Sequence, residues 1–221
     1  MSKTKARLAG FFYILMLPLG ALVPLMGGPL RTSNDPAQTA AILLAHPALV
    51  HTGYAVDVLV VASYLVVTAL FYEMFAPVNG TVARVATFFG LTGCALQAGA
   101  AVFRVAPLLI LQGDRHMEAP AFLVMKLYSP AYRVALVFFG FYGVLIGWLI
   151  FHSAFLPRII GVLMALAGVA WITFLWAPLA NFLWPAVQLS LAAAGEGSLM
   201  LWLLIKGTKA HTPQPIEHGA E

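Results

Sequence analysis

Residues 136–168 read LVFFGFYGVLIGWLIFHSAFLPRIIGVLMALAG, two long apolar runs with only Ala154-Phe155-Leu156 between them. So short a connection forces the two runs to lie side by side and antiparallel. Each is long enough to cross a bilayer, which takes about 20 apolar helical residues. The first run carries Gly140, Gly143 and Gly147, a small-residue face that lets a neighbouring backbone come close. Such a face serves either an internal helix contact or a homodimer.

The rest of the chain repeats this pattern. Of its 221 residues 62% are hydrophobic and only 9% charged, against about 25% charged in soluble domains. A chain this poor in charge cannot cover itself in water, so lipid is its solvent. Reading outward from the hairpin, the spans fall at about 7–30, 50–75, 82–111, 130–153, 157–176 and 184–206. The expected fold is all-α: a single transmembrane bundle of about six spans over 1–206, with a flexible tail over 207–221 around Thr212-Pro213-Gln214-Pro215. Pro18, Pro24 and Pro107 are tolerable within spans because neighbouring helices satisfy the freed carbonyls.

Asn34-Asp35-Pro36 reads as a helix cap with proline in the first turn. It opens a short helix that ends before His46-Pro47 and lies across the bundle from outside. Ser129-Pro130 reads the same way, as the start of the fourth span. The apolar run Leu8–Leu30 exceeds the 7–15 residues of a typical signal core and lacks an A-x-A cleavage site, so it reads as a span.

The positive-inside rule sets both termini in the cytoplasm of a multi-pass protein of the cytoplasmic (inner) membrane. Lys3, Lys5, Arg7, Arg84, Arg158, Lys206 and Lys209 then lie inside, against Arg31, Arg115 and Lys126 outside. Trp171, Trp176 and Trp184 fall at the outer interface, and Trp148 and Trp202 at the inner one, as aromatic anchors. The net charge of +4 is scattered between apolar runs and forms no nucleic-acid footprint, which needs clustered bases. The single cysteine, Cys94, excludes an intrachain disulfide and reads as a small buried residue.

Ionisable residues within a membrane are costly and face the bundle interior or a wet cavity. Asp57 lies about six residues inside the outer end of span 2, roughly 9 Å deep, and Arg104 about seven residues inside that of span 3, roughly 10 Å deep. Equal depth on consecutive helices predicts an Asp57–Arg104 ion pair, joined by Arg133 from the start of span 4 or leaving Arg133 to snorkel. Tyr54, Asp57, Tyr64 and Thr68 share one face of span 2; Gly90, Cys94, Gln97 and Arg104 share one of span 3. Glu196 sits mid-span between Gly195 and Gly197, with Ala192 and Gln188 one and two turns above it. A carboxylate there must pair with a cation or take up a proton.

Three functions suit these residues. The leading one is binding or movement of a small amphiphile or lipid in an outward-facing polar pocket. Asp57, Arg104 and Arg133 would orient its polar end, Glu196 would respond to protonation, and Tyr54 and Gln97 would hydrogen-bond it, with membrane lipids as the surrounding partner. This reading needs no cofactor, metal or catalytic residue. The second is a zinc-dependent intramembrane lipid hydrolase built on His46, His51, His116 and Asp57. The third is a non-catalytic structural or regulatory subunit whose charges only fix helix register. Nucleophile-elbow, P-loop and dinucleotide signatures are lacking.

The hairpin of residues 136–168, with its serine and Leu156-Pro157-Arg158 turn, resembles the bacterial membrane family called domain of unknown function 4386. Ala6-Arg7-Leu8-Ala9-Gly10, the GEGSLMLWLLIKG of residues 195–207, the aspartate of span 2 and Phe103-Arg104 are similar to it too. The resemblance covers most of the chain and implies an integral membrane protein of several helices. It implies no activity, but it points to Asp57, Arg104 and Glu196.

Overall fold

The computed structural model describes residues 3–26 and 34–207, and the side chains of 4–16 and 34–207. Among the described residues all regular structure is helical. The elements are α1 (Lys3–Met26), α2 (Pro36–Ala45), α3 (Pro47–Phe75), α4 (Gly80–Gly113), α5 (Glu118–His152), α6 (Arg158–Ile172), α7 (Ala177–Leu183) and α8 (Ala186–Ile205). A 3-10 turn, Thr173–Leu175, extends α6. Helices α3, α4, α5, α6 with its turn, and α8 are each long and apolar enough to cross a membrane. The sixth long helix is α1, with 24 residues. The expected tail beyond Gly207 and the end of span 1 past Met26 lie outside the described residues.

The six long helices close into a ring. α1 packs on α3, α3 on α4, α4 on α5, α5 on α6, α6 on α8, and α8 back on α1. The outer face of the ring is apolar: Leu59 is 54% exposed, Phe88 62% and Ile159 63%. Water would penalise such a surface and hydrocarbon does not. Together with five helices long and apolar enough to cross, this makes the chain a multi-pass membrane protein.

One end of the ring is marked by the Lys5–Glu73 ion pair at 2.7 Å, which sets the start of α1 beside the end of α3. A Cβ on Gly10 would lie 2.8 Å from Leu204 N, so the end of α8 is there as well. Between this Lys5 end and mid-bundle, rings fill the centre. Tyr64 packs on Phe139 with centroids 4.3 Å apart, Tyr13 edges onto Tyr64 and Phe71, and Phe75 stacks on Phe155.

At the opposite end α2 lies against α4 and α5. Asp35 caps α2 as expected, accepting from Ala37 N at 3.2 Å and Gln38 N at 3.4 Å. Ala40 and Leu43 of α2 join Leu108, Leu111 and Ala121 in a second apolar cluster. That cluster explains the main departure from expectation. Ser129-Pro130 does not start a helix; α5 runs unbroken from Glu118, with Pro130 inside it. A proline removes one backbone donor and crowds the preceding turn, and burial of Ala121 against α2 and α4 offsets that. At about 52 Å, α5 is far longer than the roughly 30 Å hydrocarbon core.

The glycine face of α5 is spent inside the chain. A Cβ on Gly140 would lie 2.7 Å from Gly168 O, and one on Gly147 would lie 2.6 Å from Gly161 O and from Ala165 N. Gly161 and Gly168 answer from α6 with equally close approaches to α5. Neither helix tolerates a side chain there, and α6 occupies the face.

Candidate functional site

The half of the ring away from Lys5 is not filled. A cavity of about 720 Å³ lies between the helices, lined from every member of the ring. Its floor is Tyr13, Tyr64, Phe139 and Met200, and its upper wall includes Tyr128, Phe174 and Trp184. Ligand pockets run from about 300 to 1,000 Å³, so the space suits a small molecule.

Asp57 and Arg104 meet at this cavity. Arg104 donates from Nε to Asp57 Oδ2 at 2.6 Å and from Nη2 to Oδ1 at 3.4 Å, the two-pronged geometry that planar guanidinium favours. Gly53, one turn before Asp57, makes room for the arginine stem: a Cβ there would be 3.1 Å from Arg104 Cδ. Arg133 is not the third member of this group. That place belongs to Tyr128, which accepts from Arg104 Nη2 and donates to Asp57 Oδ2 at 3.2 Å. Its ring lies under the guanidinium, 4.3 Å from centroid to Cζ. Tyr128 escaped the sequence reading because it precedes Pro130, where the span was expected to begin. Its spacing to Tyr132 and Arg133 carries a signal only once that segment is known to be helical.

Arg133 lines the same cavity by another route. It donates to Asn181 Oδ1 on α7 at 3.3 Å and lies over the Phe174 ring at 5.4 Å. Gln97 is 4% exposed and faces the cavity, and its amide makes no hydrogen bond among the described residues. Tyr54 is half-buried and stands outside the cavity lining, although Tyr64 on its helix is part of the floor. Thr68 is buried at mid-bundle beside Gly90. Cys94 is a buried free thiol.

Glu196 occupies the opposite wall. Trp171 donates from Nε1 to its Oε1 at 2.9 Å, and Tyr13 OH meets its Oε2 at 3.3 Å. Neither a cation nor Gln188 contacts it among the described residues; the Gln188 amide turns to Thr173 Oγ1 and Ala180 O instead. Trp171, expected as an interfacial anchor, thus aims its N–H inward. The two flanking glycines differ. A Cβ on Gly195 would meet Leu163 O of α6 at 2.5 Å, whereas one on Gly197, which lines the cavity, would meet nothing within 4 Å.

The zinc arrangement is not formed. Among the described residues no three of His, Cys, Asp and Glu are placed to hold a metal. His46 is the exposed residue before α3 and makes no capping hydrogen bond through its side chain, His116 sits in the turn after α4 with its backbone N–H on Asp114, and Asp57 is committed to Arg104.

No curated protein and no solved structure matches the chain. The family model described as domain of unknown function (DUF4386) matches residues 8–207. Nearly the whole described bundle lies within that match, and the chain belongs to the DUF4386 family.

Proposed function

We propose that the protein binds a small amphiphile in the ring cavity, its polar end near Asp57, Arg104 and Gln97 and its apolar part against the aromatic floor. The observation that carries this reading is the Gln97 amide, which has no hydrogen-bond partner among the described residues and faces the cavity. An occupant of the cavity can supply the hydrogen bonds that the protein does not. The Asp57–Arg104–Tyr128 group alone also suits a purely structural subunit, since its members satisfy one another; Gln97 and the open volume do not. Arg133, which also lines the cavity, would meet the ligand's polar end as well.

The distribution of bases supports an orientation. Lys5, Arg7, Arg84, Arg158 and Lys206 gather at the Lys5 end, Arg115 and Lys126 at the other. By the positive-inside rule the cavity faces outward from the cytoplasmic membrane, the termini lie inside, and the ring forms one domain.

The test uses bromine quenching of Trp171 and Trp184, with Trp148, Trp176 and Trp202 changed to Phe, in phosphatidylcholine nanodiscs. 12-Bromododecanol should quench saturably. Gly197→Leu, whose Cβ would meet nothing within 4 Å, adds bulk at the cavity lining and should abolish the saturable component while changing the melting temperature little. Linear quenching, identical in both proteins, would overturn the reading.

A further inference from the structure

We propose that this cavity selects uncharged amphiphiles whose head carries a hydrogen-bond donor and acceptor side by side, as a primary carboxamide does, and that Gln97 reads that head. The inference rests on the amphiphile reading above and names its ligand class.

The first argument is the Gln97 amide. Gln97 is 4% exposed, lines the cavity and makes no hydrogen bond among the described residues. It stands on α4 between the floor and the ion pair. Gly93, about one turn before it, abuts the floor, where a Cβ would lie 2.7 Å from Phe139 Cε1. Arg104, about two turns after it, holds Asp57. A side-chain amide offers two N–H donors next to a carbonyl acceptor. A primary carboxamide meets both at once: its oxygen accepts from the Gln97 N–H, and its own N–H donates to the Gln97 carbonyl. An ammonium only donates and a sulfate only accepts, so each leaves half of the Gln97 amide unmet. Ser129 and Tyr132 also line the cavity, and their hydroxyls likewise both donate and accept.

The second argument is charge balance. The charged side chains of the lining are Asp57, Arg104, Arg133 and Glu196, two of each sign, so the lining is neutral as a whole. Asp57 and Arg104 neutralise each other at 2.6 Å. Arg133 rests on the Asn181 side-chain oxygen and the Phe174 face. Glu196 accepts from Trp171 and Tyr13. Neither a cationic nor an anionic head finds a net opposite charge here, and either gives up far more hydration on leaving water than an amide does. A neutral head carries no such cost.

Four probes sharing one tail test this in the two-tryptophan protein, compared at equal concentration in the lipid: 12-bromododecanamide, its N,N-dimethyl form, 12-bromododecylammonium and 12-bromododecyl sulfate. The primary amide should bind most tightly, about fivefold above the dimethylamide, the difference one neutral hydrogen bond supplies. Gln97→Met, which keeps the length of the side chain and removes its amide, should erase the difference between the two amides without lowering the melting temperature. A difference due only to the bulk of the methyl groups would survive that substitution. Equal binding of the two amides to the unsubstituted Gln97 protein, tightest binding of either charged probe, or an amide difference that persists in Gln97→Met would each overturn this proposal. The cavity reading would still stand if 12-bromododecanol quenched saturably. Saturable quenching by none of the probes, the alcohol included, would remove both.

Discussion

The two faces of α5 solve opposite problems. Towards α6 it presents Gly140, Gly143 and Gly147, and the backbones approach so closely that no side chain fits between them. Towards the centre of the ring it presents Tyr128, Tyr132, Leu136 and Phe139, whose bulk holds the facing helices apart. The first face is dry, apolar and complete. The second is polar in patches and encloses volume. In lipid no hydrophobic drive pushes helices together, so close packing and interhelical hydrogen bonds must hold them. The α5–α6 seam supplies the packing, and a frame of that kind allows the other side of the same helix to keep space and charge.

The comparison breaks most severely at the seam. Gly147→Leu drives a side chain into two backbone atoms of α6, neither of which can move without its helix. Overpacking of this kind costs about 3 kcal/mol or more. The expected result is loss of the monodisperse folded protein in mild detergent, read by size-exclusion chromatography and thermal melting. A stable, well-behaved Gly147→Leu variant would show that the seam is not the frame.

On the cavity side, Asp57→Ala strands Arg104. Breaking a fully buried pair costs about 3–5 kcal/mol; here roughly 2 kcal/mol is expected, because the cavity admits water to the guanidinium. Adding Arg104→Ala should recover part of the loss, since contacting residues do not act additively. Strictly additive melting temperatures across this cycle would mean the pair contributes nothing as a pair.

The smallest effect belongs to the Lys5–Glu73 bridge, whose side chains are 53% and 52% exposed. Exposed ion pairs contribute about 0–1 kcal/mol. Lys5→Ala should shift the melting temperature by no more than a degree or two. A larger drop would mark that end as part of the frame.

Much of this contrast was legible in the sequence, and the residues show why. Gly140, Gly143 and Gly147 announce a close approach by their spacing. Asp57 and Arg104 announce each other because their depths are counted from the ends of consecutive helices joined by a short turn. Asp35 and Pro36 mark the start of α2 by capping chemistry alone. Ser129-Pro130 misled, because a proline that usually opens a helix sits inside one here, sustained by contacts with α2 and α4. Tyr128 was hidden by that error. Tyr13 and Glu196, 183 residues apart, share no local signal at all.

Hydrophobicity and periodicity by themselves determined the solvent, the long helices and the matching depths of Asp57 and Arg104, because these depend on one helix and its medium. Tertiary structure alone decided that six helices close into a ring, that α6 rather than a second chain covers the glycine face, and that Glu196 meets Trp171 and Tyr13 beside an open space. Position along a helix is written in its own residues. The distance between two helices is set by the packing of all their neighbours, which a linear pattern does not contain.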